Sequence, residues 1–220
     1  MHRLTLDSVV EHSNRERFKA IDRYLDANRE VYLGMARSIQ PDTSDPDQVW
    51  ARVAFAILSA NAPFEAAREA LDYCTQHRSQ VTGDALRNYR MTPGKAKWIN
   101  AIPLDPRCLA RQPGESHHEQ RLRLVGVPGL ALTKASFAVA LLDPLRADVA
   151  CIDTHMQRVY LGYRGFKSLK LREYLGVESK VRGVAQRHRV STFVAQWAIW
   201  DHARGKVTTH AIFPRGKDNE

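Results

Sequence analysis

The stretch LVGVPGLALTKASFAVALLDPLRADVACIDTHMQRVYLG, residues 124–162, decides how this chain is read. Val127-Pro128-Gly129 near its start is a break that a helix does not continue through. Proline lacks an amide hydrogen and glycine tolerates positive φ, so the backbone turns sharply there. Val127 and Leu130 are placed to anchor the turn in a core. The run KASFAVALL that follows is small and apolar, which predicts a buried helix over about 133–142 with Thr133 as its N-cap. Lys134 then falls in the first helical turn. Asp153-Thr154-His155 opens a second helix, over about 153–162, with a carboxylate at its N-terminus. A shorter helix at about 118–125 precedes the turn, so residues 118–142 read as helix, hairpin, helix.

The residue types at these positions point to chemistry on a phosphate-bearing polymer. Gly129 lets backbone N–H groups converge on one anion. The next helix adds its unpaired amides and positive dipole end. Together they grip a phosphate oxygen without side-chain charge. A lysine at the positive end of a buried helix is electrostatically uncomfortable, because dipole and desolvation both favour its neutral amine. A neutral amine is a nucleophile able to form an iminium with a sugar carbon. Asp153 is the reverse case. Its ionised form is favoured at a helix N-terminus, where it can accept a proton or stabilise positive charge on a sugar ring. Taken singly, a lysine is usually solvated, an Asp before Thr usually caps a helix, and Pro-Gly usually joins two helices. The pair, 19 residues apart across a helix and a loop (153 − 134), is what makes a constellation.

The rest of the chain reads as helical. Ser13 precedes a charged helix over about 14–39; the apolar VWARVAFAILSA lies in a helix over about 46–60, central to its domain; Pro63 marks the start of the next, to about 76. Short helices are expected near 84–90 and 95–102, a loop over 103–117, and a last helix over about 191–204. Residues 163–190 read as a basic segment punctuated by glycines. No alternating strand pattern of useful length occurs, so the fold class is all-α, one domain over 1–220 in two lobes with a cleft between them.

Hydrophobic content of 44% against 26% charged residues excludes a disordered chain. A net charge of +9 favours an anionic partner. Cys74, Cys108 and Cys151 lie far apart, without metal-site spacing, which supports neither structural zinc nor a cysteine-held iron–sulfur cluster. Sparse, odd cysteines fit a reducing compartment. No run is long enough to span a bilayer, so the expectation is an intracellular protein without a membrane partner. Arg158, Lys167, Lys170, Arg172, Lys180, Arg182, Arg187 and Arg189 form a basic stretch open to two readings, phosphate contact or a solvated face. Trp50, Trp98, Trp197 and Trp200 could stack on a base, though tryptophan at helical spacing more often packs in a core.

VPGLALTKASFAVALL followed by CIDTHMQRV resembles the helix-hairpin-helix superfamily of DNA base-excision glycosylases, endonuclease-III-like and 8-oxoguanine-glycosylase-like enzymes among them. FAILSANAPFEAA (55–67) and KAKWINAI (95–102) resemble two further family segments, so the likeness spans about 47–162. The resemblance implies that Lys134 is the amine nucleophile at the sugar C1′ and Asp153 the carboxylate that assists it. It implies that Gly129 and Ala131 lie in the phosphate-gripping hairpin, that His155 contacts a phosphate near the lesion, and that Asn61 fills the gap left in the base stack; Thr133 and Arg158, on their own positions, are expected to contact DNA as well. Gln196, in a segment that loosely resembles the family's last helix, is assigned to the flipped base with Trp197 and Trp200. GLALTK carries one residue more than the family pattern, and an ungapped alignment puts Thr133 in the nucleophile slot. With that alignment Asp153 would activate a water instead. The chain also departs from the iron–sulfur branch.

The function these features imply is excision of a damaged or modified base from double-stranded DNA, with base flipping, Schiff-base chemistry and associated lyase activity. No organic cofactor and no metal is expected, with a monovalent cation on hairpin carbonyls left open. The protein is expected to act as a monomer. Two alternatives remain: a related enzyme that processes hypermodified, phage-type bases, and a non-catalytic DNA-binding module that kept the hairpin.

Overall fold

A computed structural model describes residues 6–162 and 168–205, with side chains from Glu16 onward. Ten α-helices follow one another among the described residues: α1 Leu6–Ile39, α2 Pro46–Leu58, α3 Phe64–His77, α4 Gly83–Arg87, α5 Lys95–Asn100, α6 His117–Leu124, α7 Leu132–Leu142, α8 Thr154–Leu161, α9 Leu171–His188 and α10 Thr192–Arg204. Short 3-10 turns occur at Arg78–Gln80 and Pro106–Leu109. No strand occurs among the described residues, so the fold is all-α.

α2 starts where the residues dictate. The Asp45 carboxylate accepts the Asp47 amide at 2.8 Å, and Pro46 occupies the first turn, where its missing N–H costs nothing. From Val53 to Leu58 every side chain is buried, so α2 is apolar on all sides and central. It packs against α7, α3 and α5, and α6 lies on α7. A second set forms around α10, which packs against α1, α9 and α8 and touches α7. Leu130 is buried and Val127 packs against the core, as their hairpin positions predict.

The structure corrects three expectations. α1 begins at Leu6, so Ser13 lies within the helix rather than capping it; no Pro or Gly breaks the chain there. The basic segment 163–190 contains the 18-residue α9. Its glycines, Gly176 and Gly183, are helical, because Tyr174, Val177, Glu178, Val181, Val184 and Ala185 form one buried face at helical spacing. Burying that face outweighs the roughly 1 kcal/mol that each interior glycine costs. Finally, α7 starts one residue early, at Leu132, with Ala131 as its N-cap and no side-chain cap bond. Thr133 is thus inside the first turn.

α9 also pins the extended segment before α8. Glu178 is buried and accepts the Ala150 amide at 2.9 Å. It also pairs with Arg121 of α6, itself fully buried. The Tyr174 hydroxyl donates to the Ala150 carbonyl at 2.6 Å and accepts the Ile152 amide at 3.2 Å. The chain therefore reaches Asp153 along a fixed path.

Candidate active site

Both helix sets contribute to one partly open cleft of about 320 Å³. α3 and α7 supply Phe64, Lys134 and Phe137; the segment before α8 supplies Cys151 and Asp153; α10 supplies Gln196, Trp197 and Trp200.

Lys134 is the third residue of α7, half-buried, and its Nζ donates to the Ser59 hydroxyl at 3.3 Å. The amine lies 5.3 Å from the Phe137 ring centroid, one turn along the same helix. Asp153 caps α8: its Oδ1 accepts the Met156 amide at 3.0 Å, which fixes the carboxylate, while Oδ2 takes no hydrogen bond from the described residues. Thus Lys134, and not Thr133, lies in the cleft with Asp153.

The walls are aromatic. Phe64 stacks on Trp197 at 5.6 Å and 19°, and on Phe137 at 6.2 Å and 22°. Trp200 meets Trp197 edge-on at 5.3 Å. The indole nitrogens of Trp197 and Trp200 are buried without a hydrogen-bond partner. Gln196 accepts the Cys151 amide through Oε1 at 2.7 Å. That contact fixes the amide orientation, because a backbone N–H must face the oxygen. The NH₂ of Gln196 then remains as a donor. The Gln196 amide is thus a donor at this aromatic wall.

Cys151 is no second nucleophile. Burial raises its thiol pKa to about 12, against a smaller opposing pull from Lys134. His155 meets Trp200 edge-on at 5.6 Å. Burial lowers its pKa; Asp153 opposes this, while Arg204 and Arg158 add to it. His155 is accordingly a neutral donor at pH 7 rather than a charge. Arg158 is exposed.

In the hairpin, Gly129 has φ +88°, and a Cβ there would lie 2.9 Å from Trp98 Cβ and Cγ. Trp98 is thereby the floor of the turn. Ala131 is exposed at the start of α7, whose first amides have no side-chain cap. Asn61 is exposed just beyond α2 with φ +53°, a conformation asparagine tolerates better than most residues. It is not among the cleft-lining residues. Of the basic stretch, Lys170, just before α9, and Arg172 and Lys180 on it are exposed, whereas Arg187 pairs with Asp22 at 2.9 Å and Arg182 donates to the Asp148 carbonyl at 3.2 Å. Arg189 forms the left-handed C-cap of α9. Lys167 lies outside the described residues.

Sequence reasoning missed Phe64, Phe137 and Cys151 as lining, and Ser59 as the Lys134 partner. Phe137 was findable: it stands three residues after Lys134 and so shares its helix face. Cys151 stands two residues before Asp153 on an extended segment, which puts both on one side. Nothing local marks Phe64 or Ser59, which arrive from other helices. Among the described residues no group of three or more His, Cys, Asp or Glu could hold a metal ion, and no helix is long and apolar enough to cross a membrane.

No protein-family model matches the sequence, and a comparison with curated proteins finds no match. Solved structures do match. The 8-oxoguanine DNA glycosylase of Thermotoga maritima is 19% identical, with a TM-score of 0.72 over 88% of this chain and 99% of that one. The 8-oxoguanine DNA glycosylase of Methanocaldococcus jannaschii is 18% identical, with a TM-score of 0.74 over 89% of this chain and 97% of that one. A structure of the Methanocaldococcus jannaschii 8-oxoguanine glycosylase/lyase in complex with a 15mer DNA containing 8-oxoguanine is 19% identical, with a TM-score of 0.73 over 86% and 99%. Over nearly its whole described length, this chain has the fold of the 8-oxoguanine DNA glycosylases.

Proposed function

We propose that this protein is a DNA glycosylase that rotates a damaged or modified base out of the duplex into the aromatic cleft and displaces it with Lys134. The observation that carries the reading is that an amine and a helix-capping carboxylate, from separate helices, line the same cleft beside stacked rings. The uncapped start of α7 and the Gly129 turn supply amides for a phosphate near the lesion. The Lys134 nitrogen attacks C1′; the glycosidic bond breaks and its electron pair leaves with the base, which takes up a proton. Asp153 accepts the proton lost by the amine. Opening of the sugar gives a Schiff base between Nζ and C1′, from which the 3′ phosphate is eliminated and the strand is cut. His155 and Arg158 contact the backbone, and Asn61 occupies the space in the stack. The base flips into a site that holds it by ring faces and by the Gln196 amide.

Since 8-oxoguanine is the lesion in the DNA bound by one structural neighbour, it is the first substrate to assay. Borohydride trapping on duplexes bearing an abasic site or 8-oxoguanine yields a covalent adduct with the wild type and none with Lys134→Ala. Asp153→Asn keeps the helix cap but slows adduct formation by two or more orders of magnitude, the scale of a lost general base. Base release without an adduct would assign the attack to a water activated by Asp153. Salt-dependent binding with neither release nor adduct would leave only a DNA-binding module.

A further inference from the structure

Trp200 of α10 lines the cleft and also seats basic side chains from two helices. Arg204, one turn further along α10, lies with its guanidinium carbon over the Trp200 ring, 4.2 Å from the centroid. His155, the second residue of α8, meets the same ring edge-on at 5.6 Å and 82°. Arg158 stands three residues after His155, on the same side of α8, and is exposed. Arg204 enters no step of the reaction proposed for the cleft.

Local structure explains part of this arrangement. The i, i+4 spacing puts Arg204 beside Trp200, and a cation in the last turn suits the helix dipole. It does not explain the surplus of positive charge. Elsewhere arginines meet carboxylates: Arg187 meets Asp22, Arg123 meets Glu115 and Arg121 meets Glu178. Among the described residues no carboxylate pairs with Arg204 or Arg158. Asp153 ahead of α8 offsets one of the two charges, and its Oδ1 is already taken by the Met156 amide. The cluster stays positive, an arrangement that an incoming anion relieves. The donors are in place for one. A guanidinium laid on a ring is held by its face and keeps its N–H edge open, so Trp200 fixes Arg204 without consuming its donors. His155 adds a ring N–H and Arg158 a second guanidinium. A phosphate, with several acceptor oxygens on one tetrahedral centre, takes up donors converging from different helices.

We propose that Arg204 is a phosphate ligand: seated on Trp200, it completes with His155 and Arg158 a site for the DNA phosphate beside the everted nucleotide. The proposal rests on the reading of the cleft as the seat of a flipped base, and it adds a contact from α10 to those made by α8. Trp200 belongs both to the cleft wall and to the cluster, so a phosphate bound here adjoins the base held there. The same contact keeps Arg204 on the ring and braces one wall of the cleft while the base is out of the stack.

Fluorescence anisotropy over a range of salt concentrations tests this in the intact protein, with a duplex carrying an uncleavable abasic analogue and with the same duplex undamaged. Arg204→Met keeps an unbranched apolar chain on Trp200 and removes the charge. Binding of the abasic-analogue duplex then weakens about tenfold or more, the scale of one lost charge-assisted hydrogen bond. The slope of log affinity against log salt falls by about 0.9, one phosphate contact. The undamaged duplex, whose nucleotides stay stacked, loses less. Arg204→Lys keeps the slope, and Arg204→Gln gives the same reading as Arg204→Met should that variant not fold. A role confined to packing on Trp200 would lower the melting temperature and leave the slope alone. An unchanged slope in a folded, uncharged variant, or equal losses on both duplexes, overturns the proposal. A wild type that yields no borohydride adduct, with these losses present, brings down the Lys134 chemistry alone. A wild type without preference for the abasic-analogue duplex brings down the flipped-base reading and this proposal with it, and is seen before any variant is made.

Discussion

Gly129 is where a single atom matters most. Its φ of +88° is costly for any residue with a Cβ, and the space a Cβ would fill is taken by Trp98 at 2.9 Å. The root of a rigid ring cannot give way as the far end of a flexible side chain can. Gly129→Ala should cost about 1–3 kcal/mol and displace the turn that presents amides ahead of α7. The expected outcome is a lower melting temperature together with weaker binding of an abasic duplex, measured by fluorescence anisotropy. Unchanged affinity would show that the hairpin does not touch DNA. Lys134 and Asp153 differ from Gly129 in how they were found. Their places at helix starts were legible at the residue level, because the apolar pattern already defines both helices. That the two share a cleft was not legible, since nothing between residues 134 and 153 states how α7 and α8 are oriented.

Among the helices, α9 shows why a basic, glycine-bearing segment can be misread. Its exposed face carries Arg172 and Lys180, and with Lys170 ahead of it resembles a linker in composition; its inner face is a regular stripe from Tyr174 to Ala185. The stripe becomes decisive only when α10 and α1 are present to cover it. α9 then uses Glu178 to hold both the Ala150 amide and Arg121. Removing the carboxylate charge leaves Arg121 buried without compensation, a change worth about 3–5 kcal/mol. Glu178→Gln is therefore expected to lower the urea midpoint strongly. The double variant Arg121→Met/Glu178→Gln recovers much of the loss, because Gln still accepts the Ala150 amide and no charge is stranded. Single and double variants of equal stability would show that the ion pair is not what holds α6 to α9.

Across the whole molecule the pH dependence of stability has a distinct source in His117. It is 7% exposed, with Nε2 at 3.1 Å from Asp143 and Nδ1 at 3.2 Å from Asp148, joining α6 to the turn after α7. Burial opposes the charged ring, but the hydrogen bonds and charges of the two carboxylates outweigh it and raise the pKa to about 9. Because the folded pKa lies above the unfolded value near 6.5, this contribution is fully present below about pH 6.5 and is lost as pH rises to about 9. It amounts to on the order of 3 kcal/mol. Lys95 acts in the opposite sense: its pKa of about 8 lies below the unfolded value, so its burial penalty fades above pH 8. The difference in unfolding free energy between wild type and His117→Gln isolates the first effect and should shrink from pH 6 to pH 9; a difference constant with pH would refute it. Helical class, the central apolar helix, the hairpin and the residue types capable of the chemistry were all contained in local pattern, because periodicity, turn residues and helix-end electrostatics are properties of neighbours along the chain. The cleft came from packing: Phe64, Ser59, Lys95 and Gln196 stand far along the chain from the residues they meet. No local rule specifies which helix faces meet. Only burial of each apolar face against another brought an amine, a carboxylate and a stack of rings to one place.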